Sequence, residues 1–256
     1  MNKLVFLALG FLIASALYAN LLLLYLPTSC KTAPEPSQTA VPQLPNSSFS
    51  PIERVVPVVA VDTATKQGIV GNLTLRLIPG NSNVLVDTNP FVDTDLQYSC
   101  SLAITVAKLK TKNYAPNYDF VISFNVPSQV VGGDSAGAAT TIAAISTLTG
   151  RRLKPSVMVT GTINGDGSIG RVGGILEKAE AAAKAGYKQF LVPEGQAKIT
   201  YYERVVEPED LGFGFIFFNR KYVPKTIDLR KVAKEEWGLD VKEVSTIDDV
   251  IKYMLE

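Results

Sequence analysis

Val131-Gly132-Gly133-Asp134-Ser135-Ala136-Gly137-Ala138-Ala139-Thr140 is the stretch that decides the fold. Three glycines and an Asp-Ser pair run straight into an alanine- and isoleucine-rich segment, Ala136 to Leu148. That order predicts a tight turn followed by a helix, with Ser135 at the helix start. Gly132, Gly133 and Gly137 allow the backbone to bend sharply and to approach another part of the chain. Gly133 to Gly137 also fits G-x-S-x-G, the pattern of a serine held out on a strand-to-helix turn. Free N–H groups and the positive end of the dipole at such a helix start suit an oxyanion. The plainer alternative is a cap: Asp and Ser are ordinary N-cap residues, and Gly-Gly-Asp-Ser is ordinary turn chemistry.

The chain has no histidine among its 256 residues. A Ser-His-Asp triad is therefore excluded, and a nucleophilic Ser135 needs a lysine, a carboxylate or an amino terminus as its base. Histidine-based zinc sites are excluded too, and two cysteines cannot make a four-thiolate site, so no metal is expected. Lys+Arg 25 against Asp+Glu 24 leaves a formal charge of +1, which gives no reason to expect a nucleic-acid partner. Cys30 beside an apolar segment and Cys100 within a helical stretch read as two free thiols.

Outward from the glycine turn, the chain reads as follows. An apolar run from Leu4 to Leu26 is long enough to span a bilayer. It continues past the small-x-small site Ala14-Ser15-Ala16 and exceeds the roughly 7–15 residues of a signal-peptide core, so residues 1–27 are expected to form an uncleaved anchor. Lys3 and the amino terminus before the run outweigh Lys31 after it, which places the rest of the chain on the extracytoplasmic side. Residues 28–51, rich in Pro, Ser and Thr, form a linker that cannot bury a core. From 52 to 256 a folded domain is expected. Strands are read at Val55–Val61, Asn72–Ile78, Val84–Val86, Asp119–Val126, Val157–Ile163, Gln189–Val192 and Val241–Val244. Helices are read at Thr94–Leu109, Ala136–Leu148, Ile175–Ala185 (stopped by Gly186) and Ile247–Leu255. Residues 198–239, with Tyr201, Tyr202, Phe213, Phe215, Phe217, Phe218 and Tyr222, read as a partly helical aromatic excursion. Strands and helices alternate without a regular βαβ repeat, so the fold class is α+β.

Asn164-Gly165-Asp166-Gly167 signals a hairpin turn. It creates a G-x-G-x-x-G match, but no helix opens behind it, so no dinucleotide cofactor follows. No Walker A sequence occurs in the chain.

Lys178 is the second candidate. On the Ile175–Ala185 helix its neighbours at three, four and seven residues are Ile175, Ala181, Ala182 and Ala185, an apolar stripe. Glu177, Glu180 and Lys184 form the wet side. Lys178 is thus the one charge on the face that packs inward, and it lies in the first helical turn. Burial and the dipole both lower its pKa toward the range of a base. The alternative is a lysine whose stem packs while its ammonium reaches water.

Gly133-Asp134-Ser135-Ala136-Gly137, then Met158-Val159-Thr160-Gly161, then Gly173-Gly174-Ile175-Leu176-Glu177-Lys178 resembles the proteolytic domain of the Lon protease family, over about Ile52 to Val192 and again near Val241. The Asp-Ser-Ala form is similar to the archaeal, membrane-bound branch. The resemblance implies a Lon-type domain of mixed sheets and packed helices, with Ser135 as nucleophile and Lys178 as base. It further implies that Thr160 hydrogen-bonds the lysine and that Asp134 and Gly133 flank the nucleophile in support. No cofactor is implied. Polypeptides are the implied substrates, and self-association into a homo-oligomer is implied by the family's rings. Two departures stand out. Thr162 occupies the position of the family's common glutamate, and an anchor and linker stand where the family carries its ATPase module. The expected function is a membrane-anchored Ser–Lys endopeptidase without its own ATPase. The rivals are an idle domain of the same fold that serves as a tethered binding module, and a protease that processes only its own linker.

Overall fold

A computed structural model describes residues 51–62, 64–210 and 216–256. The apolar run at 4–26, the linker, Cys30, Phe213 and Phe215 lie outside the described residues. Among those described, no helix is long and apolar enough to cross a membrane.

The first half is built on a four-stranded sheet in the order β1-β2-β5-β3. Strands β1 (Ile52–Val61), β2 (Gly68–Pro79) and β5 (Tyr118–Asn125) pair antiparallel, and β3 (Val84–Val86) adds parallel to β5. The period-two pattern explains it: Leu73, Leu75 and Leu77 on β2, and Phe120, Ile122 and Phe124 on β5, all turn to one buried face. Two short strands, β4 (Phe91–Val92) and β6 (Val130–Val131), pair parallel beside it. Helices α1 (Thr94–Thr111) and α2 (Gly137–Thr149) pack into the same core as this sheet. Helix α2 is buried from Gly137 through Thr147, as expected for a helix apolar on all sides. Its threonines meet that burial by bonding back one turn. Thr140, Thr141, Thr147 and Thr149 each donate to the carbonyl four residues earlier, at 2.7–2.9 Å. Cys100, buried on α1, has its thiol pushed up to about 12 by burial.

The second half holds a parallel sheet ordered β13-β10-β7. Its strands are β7 (Val157–Val159), β10 (Gln189–Pro193) and β13 (Asp240–Val244). Helices α3 (Ile175–Lys184) and α4 (Leu229–Trp237) share a core with it, and α5 (Ile247–Met254) closes the chain behind a capping box of Thr246 and Asp249.

One expectation needs correction. Val157–Ile163 is not one strand. Pairing with β10 ends at Val159, Thr160 and Gly161 turn aside, and Thr162–Ile163 forms β8, which pairs with β9 (Ile169–Gly170) around the Asn164–Gly167 turn. The cause is a rival set of bonds: the Gly161 N–H donates to the Ser135 carbonyl, and the Gly161 carbonyl accepts from Ala138 N–H, both at 3.0 Å. The aromatic excursion is partly helical, as expected, and the rest of what is described of it is mostly extended. The extended part is a two-stranded ribbon of β11 (Lys198–Asp210) and β12 (Ile216–Asp228), and helix begins at Leu229.

Candidate active site

Ser135 sits in a short 3-10 turn, Asp134–Ala136, wedged between β6 and α2. The bend comes from Gly133, whose φ of +83° is open to glycine at little cost. The close approach comes from Gly137. A Cβ there would lie 2.8 Å from the Ile163 nitrogen and 2.9 Å from Ser99 Oγ. Neither the turn nor α2 has a side-chain cap, so the cap explanation of Asp134 and Ser135 does not hold. Asp134 is exposed and Ser135 half-buried.

The first N–H groups of a helical turn have no partner within it. Here Gly133 N–H donates to Asp93 Oδ2 at 3.0 Å, Gly137 N–H to the Asp134 carbonyl, and Ala138 N–H to Gly161. The N–H groups of Asp134 and Ser135 donate to nothing among the described residues, so two donors remain beside the serine for an incoming oxyanion.

Lys178 lies on the inward face of α3, 4% exposed, with Ile175, Ala181 and Ala182 buried around it. Glu180 and Lys184 pair on the wet side at 2.6 Å. Ala185 ends the stripe exposed at the helix terminus. The Lys178 ammonium donates to Thr160 Oγ1 at 3.4 Å, and Thr160 Oγ1 donates to the Ser135 carbonyl at 3.4 Å. Both contacts are longer than the roughly 2.7–3.2 Å of a strong hydrogen bond. Burial lowers the lysine from 10.5 to about 8, and the charge of Asp134 acts weakly in the opposite direction. Thr162 is tied up in the β8–β9 hairpin, where a Cβ on Gly170 would press on its hydroxyl.

Ser135 and Lys178 open on one cleft of about 570 Å³. Its lining includes Val126, Val130, Val131, Gly174, Glu177 and Asp62. Asp93 also lines it and escaped the sequence reading. Its Oδ1 caps α1 through Leu96 N–H at 2.8 Å, while its Oδ2 holds Gly133. One carboxylate thus fixes both a helix start and the bend that presents Ser135. Asp-Thr-Asp at 93–95 was visible as a cap signal, but its partner lies 40 residues away.

An α+β frame thus brings a serine on a glycine turn and a buried lysine to one cleft. Residues 68–206, more than half of the chain, match the Lon protease (S16) C-terminal proteolytic domain, and the chain belongs to that family. It is 37% identical over 78 residues to the archaeal Lon protease of Methanocaldococcus jannaschii, covering 30% of this chain and 12% of that protein. It is 38% identical over 82 residues to Lon protease 1 of Herpetosiphon aurantiacus (32% and 10%), and 30% identical over 137 residues to the Lon protease of Mesomycoplasma hyopneumoniae (50% and 16%). The matched stretch is thus a small part of each of these relatives.

Proposed function

We propose that this chain is a membrane-tethered serine endopeptidase in which Ser135 is the nucleophile and Lys178 its base, acting on polypeptides that arrive already unfolded. One observation carries the reading. A lysine sealed from water, with its pKa lowered to about 8, shares a cleft with a serine that caps nothing. Neutral Lys178 takes the Ser135 hydroxyl proton as Oγ attacks the scissile carbonyl. The oxyanion is received by the N–H groups of Asp134 and Ser135, each such donor being worth roughly 3–4 kcal/mol. Lys178 then gives its proton to the leaving amine as the C–N bond breaks, leaving an acyl-Ser135. Water attacks that ester, passing a proton to Lys178, and the proton returns to Oγ as the acid leaves. Thr160 orients the ammonium throughout.

The tether is supported by the apolar run at 4–26 and the Pro-rich segment behind it, and the weak charge bias supports an outward-facing domain. No Walker A sequence occurs among the 256 residues, and none of the proposed steps consumes ATP.

Ser135→Ala tests the reading. Cleavage of reduced, carboxymethylated α-lactalbumin should fall at least about a thousandfold with Tm unchanged, and labelling by a fluorophosphonate probe should vanish. Undiminished cleavage by the variant refutes the assignment. A wild type that neither cleaves nor labels favours the idle binding domain.

A further inference from the structure

The β11–β12 ribbon pairs along its whole length, Lys198 opposite Asp228 through to Asp210 opposite Ile216. At roughly 3.3 Å per residue it extends about 40 Å. Only its root is fastened. Ala197 N–H donates to Glu243 Oε1 at 2.9 Å, Leu229 N–H to the Ala197 carbonyl at 2.7 Å, and Ile199 packs on the core of Leu229 and Ala233. Beyond the root the two strands pair with each other alone among the described residues.

Residues opposite one another in the register share a face, and the two faces differ. One mixes exposed Tyr201, Phe217 and Val223 with Glu203, Glu207, Lys221 and Lys225, whose charges neutralise each other as Lys221–Glu207 and Lys225–Glu203 ion pairs. The other carries Tyr202, Arg204, Val206, Phe218, Arg220 and Tyr222, all exposed. Tyr202 is 68% exposed, Tyr222 66% and Phe218 60%. Neither arginine forms an ion pair among the described residues. Exposed aromatic groups in such a row mark an interaction surface.

We propose that this aromatic–arginine face captures unfolded polypeptide and delivers it to the Ser135 cleft. The inference rests on the peptidase reading. Continuity with the cleft supports it. A second cleft, lined by Lys198, Ile199 and Thr200 of the ribbon root, is bounded by Gly174 and Glu177, and those two residues also wall the Ser135 cleft. The two clefts thus adjoin at Gly174 and Glu177, next to the root of the ribbon. Tyr and Phe supply sequence-tolerant apolar contact at low entropic cost, and Arg binds carboxylates and stacks on aromatic residues. Capture works through side chains, not by adding a strand, because Pro208 and Pro224 each remove a backbone donor from the ribbon's edges.

The test uses the full chain in detergent and the triple variant Tyr202→Ser/Phe218→Ser/Tyr222→Ser. KM for reduced, carboxymethylated α-lactalbumin should rise at least about tenfold, a loss of the size expected for aromatic anchors. The kcat/KM for a short internally quenched peptide should stay within about twofold, which also reports an intact body. Equal effects on protein and peptide, or none on either, overturn the proposal. So does an effect seen only in vesicles containing phosphatidylserine, which assigns the face to lipid. If the wild type cleaves neither substrate, the catalytic reading has failed on its own, and binding decides the ribbon. Fluorescence anisotropy should then show labelled α-lactalbumin bound by Ser135→Ala and at least about tenfold more weakly by the quadruple variant. Absence of binding by Ser135→Ala overturns the proposal.

Discussion

Lys178 combines a structural cost with a chemical use. Its folded pKa of about 8 lies below the ordinary 10.5, so between those values the unfolded chain holds more protons than the folded one. Stability therefore rises as pH climbs through that window, and below about 8 the full cost applies, about 3 kcal/mol. Lys178→Met removes the charge and keeps the stem. At pH 7 it should raise Tm while abolishing cleavage, and the gain should vanish above about pH 10; calorimetry across pH checks this, and a lowered Tm at pH 7 contradicts it. In the wild type, kcat/KM should climb with pH to a plateau above about 8. The lysine was legible in the sequence because a lone charge interrupts an apolar helical stripe. Asp93 was not legible as a site residue, since its second bond joins groups that only the folded chain brings together.

Among the elements, the glycine turn separates two kinds of constraint. Gly133 has a left-handed φ and open space around its missing side chain, whereas Gly137 has ordinary helical φ and no space. Gly133→Ala should cost about 2 kcal/mol of backbone strain, because φ +83° with ψ 156° is a region open in practice only to glycine. Gly137→Ala should cost more, about 3 kcal/mol, because the β8 backbone must retreat. Urea unfolding of both variants measures the difference, and equal losses would contradict the close contact. Helices α1, α2, α3 and α5 and the longer core strands were readable from apolar spacing, whereas α4 was read only as an unplaced helical part of the 198–239 excursion. The ribbon was not readable, because both of its faces mix charged with aromatic or aliphatic residues, so no apolar–polar alternation marks it. Nor were β4 and β6, each two residues long and held by the fold around them.

At the scale of the molecule, residues 50–256 form a compact unit by themselves, and the α+β class follows from element order alone. A fragment beginning at Ser50 should match the full chain in Tm and in peptide kcat/KM, and should remain in solution where the full chain needs detergent. A full chain that floats free of vesicles would remove the tether from the proposed function. The two bonds that join Gly161 to Ser135 and Ala138 have a mechanical consequence. They stitch the Ser135 loop to the end of β7, and β7 belongs to the sheet that shares a core with the helix bearing Lys178. Under the proposed assignment, loosening of the parallel sheet should slacken Ser135 and Lys178 together, so on heating peptide cleavage should be lost before the near-ultraviolet circular dichroism of the domain, and coincident losses would contradict this.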